Sequence, residues 1–94
     1  MEKFTDNDEG YMRWISNNPG GFVVNVERLE RPAYAVLHRS SCPSISRHRE
    51  AGAYTARGYK KVASSDLSKL KEYVRSIGRA DSSFSKQCGH CQPA

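Results

Sequence analysis

The fold of this chain depends most on one stretch of sequence, Tyr34-Ala35-Val36-Leu37-His38-Arg39-Ser40-Ser41-Cys42. Its first half is rich in apolar and β-branched residues and predicts a strand that ends at His38. Its second half leaves that strand and enters a turn, so an imidazole and a thiol four residues apart can face the same side. The stretch therefore predicts half of a metal site at the end of a strand.

The other half lies near residue 90, in the tetrapeptide Cys88-Gly89-His90-Cys91. A Cys-x-x-Cys pair holds one ion from a single tight turn, and Gly89 supplies the backbone freedom that such a turn needs. Tetrahedral zinc requires two further ligands, and His38 with Cys42 completes a Cys3His set. Four protein ligands leave no open coordination position, so the predicted Zn2+ site is structural and the sequence predicts no enzyme.

Two other histidines compete for the fourth ligand position. His90 lies between the two thiols of the tetrapeptide, where its side chain normally points away from the ion. His48 stands between Arg47 and Arg49, whose charges disfavour a bound cation. These neighbours make His38 the preferred ligand.

A redox function is the alternative interpretation of the tetrapeptide. Cys-Gly-His-Cys also occurs at the active site of thioredoxin-like disulfide isomerases, where a following helix lowers the pKa of the first thiol. Only Gln92, Pro93 and Ala94 follow here, and they cannot form that helix. Thiol redox activity is therefore the least favoured function.

Helical and strand patterns surround the metal-binding segments. Apolar residues at helical spacing, with a capping-box start at Asp6, predict an N-terminal helix that ends before Pro19. Residues 22–26 and 34–38 predict a hairpin, and residues 58–63 a third strand. The stripe from Ser65 to Ile77, followed by Gly78, predicts a C-terminal helix.

These elements predict an α+β fold in a single zinc-stabilised domain, residues 1–94. The expected architecture is a small three-stranded antiparallel sheet with an N-terminal and a C-terminal helix, closed by one structural zinc site. Hydrophobic residues make up 37% of the 94 residues, so a thin core would gain from a metal. The odd number of cysteines and the absence of an apolar segment of membrane-spanning length predict a cytoplasmic protein without membrane contact.

The charge of the chain is strongly asymmetric. The formal net charge is +5, but residues 1–10 carry −3, which leaves +8 on the remainder. A basic surface of this kind attracts phosphates, and tyrosines between the cations can stack on exposed or flipped bases. The candidate nucleic-acid contacts are Arg39, Arg47, Arg49, Tyr54, Arg57, Tyr59, Lys60 and Lys61.

Several motifs together resemble a group of small bacterial domains. They are Tyr11-x-x-Trp14-Ile15-x-x-Asn18-Pro19-x-Gly21-Phe22-Val23-x-Asn25, Tyr34-x-x-Leu37-His38-Arg39-x-x-Cys42-x-x-Ile45, Tyr59-x-Lys61-Val62 and Cys88-x-x-Cys91. Such domains look like modules found alone or attached to His-Asn-His nucleases of modification-dependent restriction systems. The resemblance implies zinc on the four ligands, DNA as partner and a nuclease or other protein as a further partner. It also implies a cysteine where this chain has Ala63.

The sequence therefore predicts a DNA-binding domain that reads modified DNA. A protein-interaction module, in which zinc holds the fold and the basic surface meets an acidic partner, is the second hypothesis.

Overall fold

A computed structural model describes residues 1–46, 54–89 and 91 of the chain. Within these residues no helix is both long and apolar enough to cross a bilayer. The elements follow one another as β1 (Glu2–Phe4), α1 (Asp8–Asn17), β2 (Phe22–Glu27), β3 (Ala35–Arg39), a 3-10 turn (Pro43–Ile45), β4 (Tyr59–Ser64), α2 (Leu67–Ser76) and β5 (Lys86–Gln87).

The strands form one open mixed sheet in the order β1-β4-β2-β3-β5. Its centre confirms the predicted hairpin, because β2 pairs antiparallel with β3 and, on its other side, with β4. The prediction of three antiparallel strands was wrong, since β1 joins the edge at β4 and β5 pairs parallel with β3. Strands of three and two residues are too short to show an alternating pattern in the sequence.

The N-cap of the N-terminal helix α1 lies one residue later in the chain than predicted. Asn7 is the N-cap, and its side-chain oxygen accepts a hydrogen bond from the backbone N–H of Gly10 at 3.0 Å. Asp6 instead forms a bidentate ion pair with Arg28, with both N–O distances 2.8 Å. The helical spacing is confirmed on the inner side of α1, where Tyr11 and Ile15 are buried.

The helix α2 shows the same small displacement at its start. Asp66, rather than Ser65, is the N-cap and accepts from the backbone N–H of Ser68. At the other end, Gly78 has a φ of +119°, as expected of a residue that ends a helix in a left-handed conformation. The apolar stripe of α2 packs on the sheet as predicted.

The sheet buries apolar side chains on both of its faces, because alternate residues of each strand point in opposite directions. We call the face covered by α2 the helix face. Its core comprises Val24, Val26, Ala35, Leu37, Val62, Leu70, Tyr73 and Val74. We call the opposite face, which carries α1 and the cysteines, the metal face. Its core comprises Phe4, Tyr11, Ile15, Val23, Cys42, Ile45, Tyr54 and Ala63.

Candidate metal centre

The four predicted ligands come together at one end of the metal face. One ligand atom from each of His38, Cys42, Cys88 and Cys91 lies within 4.8 Å of the other three. Tetrahedral coordination with metal–sulfur bonds of about 2.3 Å places two sulfurs about 3.8 Å apart. The Sγ atoms of Cys42 and Cys88 are 3.9 Å apart, far from the disulfide length of about 2.05 Å. The cluster is therefore spaced to hold a metal ion.

Hydrogen bonds of the sheet edge bring the distant half of the site into place. The short strand β5 lies parallel to β3, and the chain after it continues the ladder through a 2.9 Å bond from Cys88 N–H to the carbonyl of Leu37. Cys88 therefore lies beside His38, the next residue on β3. After β3 the chain turns, and the turn is closed by a hydrogen bond from Cys42 N–H to the carbonyl of Arg39. This turn brings the thiol of Cys42 next to His38 and Cys88.

The electrostatic environment favours metal ligation by the imidazole. Burial and, to a smaller extent, the positive charge of Lys61 lower the pKa of His38 to about 4. The imidazole is therefore neutral at pH 7, the state in which it donates a lone pair to a metal.

The same environment disfavours a reactive thiol at Cys91. Burial raises the pKa of this thiol to about 11, partly opposed by the backbone N–H of Arg39. Redox-active cysteines need the opposite shift, towards a stable thiolate without a metal. This shift concerns the second thiol of the tetrapeptide and makes Cys91 a poor nucleophile by itself.

Two residues outside the ligand set contact the ligand atoms. The Ser44 hydroxyl lies 3.0 Å from Cys42 Sγ and 3.4 Å from His38 Nδ1. Arg39 donates its backbone N–H to Cys91 Sγ at 3.3 Å and its Nε–H to the Cys91 carbonyl at 3.1 Å. Hydrogen bonds of this kind orient ligands and stabilise thiolate charge. Arg39 is therefore hydrogen-bonded directly to the candidate ligand Cys91.

A cavity of about 460 Å³ adjoins the cluster on the metal face. Strands β2, β3 and β4 supply part of its lining, and His38 and Cys88 make it continuous with the metal centre. Among residues 1–46, 54–89 and 91, the lining side chains include three tyrosines and two lysines but no carboxylate. Its aromatic and polar members are Asn25, Tyr34, His38, Ser44, Tyr54, Tyr59, Lys61 and Lys86.

A buried lysine lies in this cavity. Lys61 is only 4% exposed, and its Nζ donates to Asn25 Oδ1 and to the carbonyl of Tyr54, both at 2.8 Å. Burial lowers its pKa to about 8, while the Asp8 carboxylate acts in the opposite direction. The ammonium thus keeps its charge at neutral pH within a largely desolvated site.

The predicted nucleic-acid contacts do not form one surface. Tyr59 and Lys61 line the cavity, and Arg57 is exposed two residues before Tyr59. Lys60 points to the helix face, where its Nζ lies 2.7 Å from Glu30 Oε1. Tyr54 is buried against the ring of Tyr11.

Arg39 is exposed beside the metal centre, whereas Arg47 and Arg49 lie outside the described residues. Sequence reasoning missed Asn25, Tyr34 and Lys86, which line the cavity. Asn25 carried a signal, because it interrupts an otherwise apolar strand pattern.

No family model, curated protein or solved structure matches this chain. Function must accordingly be inferred from the chemistry of the site.

Proposed function

We propose that the chain is a zinc-stabilised DNA-binding domain, and that it reads modified DNA. Zinc is supported by the chemistry of the ligand set, since three thiols and one imidazole at tetrahedral spacing suit Zn2+ better than the hard cations that prefer oxygen. Four protein ligands give the ion a structural role. It would hold β3, the following turn and the end of β5 together.

The single observation that carries DNA binding is the composition of the cavity beside this centre. Its described lining residues include two lysines and three tyrosines and no carboxylate, in a chain of net charge +5. Lys86 and the half-exposed Tyr59 line this cavity, and Arg57 is exposed nearby on the chain. The exposed cations Lys86 and Arg57 would provide phosphate contacts, while the exposed ring of Tyr59 would provide a surface for a base.

Fluorescence anisotropy with the zinc-loaded 94-residue chain tests this proposal. Plain duplex, single-stranded and cytosine-modified duplex DNA are titrated at low salt and again at rising salt. We expect binding that weakens steeply with salt, because each neutralised phosphate releases counterions. Tighter binding to a modified duplex supports the reader function, and absence of binding to every DNA overturns the proposal.

Charge reversal locates the binding face. Lys86→Glu should weaken binding to all sequences several-fold, as loss of a phosphate contact does. Lys69→Glu is the matched control, because Lys69 is exposed on α2 and its charge change is the same. A larger loss with Lys69→Glu than with Lys86→Glu would contradict the assignment to the metal face.

The protein-interaction hypothesis predicts a different result in the same preparation. Salt-insensitive capture of one acidic protein, together with failure to bind any DNA, would replace the DNA proposal by that hypothesis.

A further inference from the structure

The cavity beside the metal centre has the dimensions and lining of a ligand site. Its volume of about 460 Å³ lies within the range of small-molecule pockets. It combines apolar surface from Val36 and Ile45 with polar groups on neighbouring strands. The sheet and the metal-bound segments hold these groups in position without a ligand.

Aromatic rings make the cavity suitable for a flat ligand. The ring centroids of Tyr34 and Tyr59 are 5.3 Å apart with an interplanar angle of 50°. Tyr59 is 42% exposed, so one of its faces can receive another ring without displacing a core contact. Stacking on tyrosine depends little on which base is present, because every nucleobase has a π-face.

The ammonium of Lys61 gives the cavity a buried donor. Two of its three N–H groups are used by neutral acceptors, the side-chain oxygen of Asn25 and the carbonyl of Tyr54. Among the described residues, no carboxylate forms an ion pair with this nitrogen, and the Asp8 carboxylate acts on it from a longer distance. A buried cation whose direct hydrogen bonds all go to neutral acceptors favours a ligand that presents an electron-rich acceptor.

The side-chain amide of Asn25 is oriented by the same lysine. Because Oδ1 accepts from Lys61, Nδ2 faces the hydroxyl of Tyr34 at a distance of 3.4 Å. Lysine ammonium and asparagine NH2 are both donors. The two groups together match the carbonyl oxygens and ring nitrogens on the edge of a nucleobase.

We propose that this cavity receives one nucleobase turned out of the DNA, stacked on Tyr59 and hydrogen-bonded through its acceptor edge to Lys61 and Asn25. This inference rests on the proposed DNA-binding function and names the part of DNA that the metal face recognises. Extrusion costs least where the base is already unpaired. A single unpaired base should therefore raise the affinity.

Duplexes of one length and sequence context test this inference. Each test duplex carries one central base opposite an abasic site, and the four bases are used in turn. One control duplex is fully paired, and the other lacks the central base. We expect at least tenfold tighter binding to one or more unpaired-base duplexes than to both controls. Equal affinity for all duplexes overturns the inference but leaves the DNA-binding function intact.

Substitutions of cavity residues test whether the tighter binding of unpaired-base duplexes depends on the cavity. Tyr59→Ala should abolish the preference, because it should weaken binding of the unpaired-base duplex by a larger factor than binding of the paired duplex, and Tyr59→Phe should retain the preference. Lys61→Met should also reduce the preference, with metal content and circular dichroism confirming the fold. Leu29→Ala is the control, because Leu29 is 74% exposed and lies outside the cavity lining. A preference that survives Tyr59→Ala and Lys61→Met contradicts the assignment.

Free nucleoside monophosphates distinguish a base in DNA from a base in solution. If they bind with the same dependence on Tyr59 while no DNA binds, the DNA-borne base is excluded and the proposed function fails with it. Weak binding of the monophosphates together with strong binding of an unpaired-base duplex supports the proposal.

Discussion

The two faces of the sheet achieve stability in different ways. On the helix face, α2 covers the strands with apolar side chains, and Leu70 and Val74 are fully buried. On the metal face, α1 covers only part of the sheet, and the remainder carries the ligand cluster and a cavity with a buried lysine. The helix face is a hydrophobic core covered by a helix, whereas the metal face combines an apolar core with a cluster that could hold a metal and a polar cavity.

The difference shows what a structural metal permits in a small domain. In small domains generally, a structural metal held by distant segments adds to the stability that apolar burial supplies, which allows polar side chains on strands. Lys61 and Asn25 occupy positions that on the helix face would be taken by valine or leucine. The candidate ligand cluster and the cavity therefore lie on the same face of the sheet, beside its apolar core.

Removal of a metal ligand should produce the largest effect. Cys88→Ser should lower the free energy of unfolding by about 5 kcal/mol or more, because binding of a structural metal is coupled directly to folding. Chemical denaturation together with zinc quantitation measures the change. Leu70→Ala is the comparison on the helix face, where a cost of about 2–5 kcal/mol is expected with one metal per chain retained. A Cys88→Ser variant as stable as wild type would show that the metal face does not depend on ligation.

The buried lysine should make the metal face sensitive to alkaline pH. The folded chain releases the Lys61 proton with a pKa of about 8, whereas an unfolded chain releases it near its ordinary pKa of about 10.4. Between these values the unfolded state binds more protons, so the free energy of unfolding rises with pH. Relative to Lys61→Met, wild type should gain stability between pH 8 and 10, by at most about 3 kcal/mol.

Urea denaturation of both proteins at matched pH values measures that gain. A constant difference between wild type and Lys61→Met over this range would contradict a buried, charged lysine.

Substitution of two adjacent glycines, Gly20 and Gly21, should give the smallest change in stability. A Cβ on Gly21 would lie 2.8 Å from the ring of Trp14 and 2.9 Å from Ser40 Oγ, whereas a Cβ on Gly20 would meet nothing within 4 Å. Gly21→Ala should therefore destabilise the metal face by about 1–2 kcal/mol, and Gly20→Ala should be close to neutral. Thermal melts of the two zinc-loaded variants test the contrast, and equal melting temperatures would show that α1 can shift without cost.

The helices and central strands were predictable because each carries its own periodic pattern. The stripe of α2 and the hairpin of β2 and β3 needed only local residue spacing to be recognised. The edge strands were not predictable, since Glu2–Phe4 and Lys86–Gln87 are too short for a pattern and form through partners far along the chain.

The ligand set was predictable from residue chemistry, whereas the cavity was not. Thiols and imidazoles have few other uses in this arrangement, so His38 and the three cysteines could be paired without a structure. The prediction that Lys60 and Lys61 contribute to one nucleic-acid surface was wrong. Lys60 and Lys61 are adjacent in sequence, yet one is paired with Glu30 on the helix face and the other lies in the cavity.

The sequence by itself determined the donor atoms, the helical stripes and the positive charge, because these are properties of residue types and of short-range spacing. Only the tertiary structure decided that β5 lies beside β3 and brings Cys88 next to His38. It alone also placed Asn25, Tyr34, Tyr59 and Lys61 around one cavity. Strand pairing joins residues that are distant in the chain, and the pleat then sends neighbouring side chains to opposite faces.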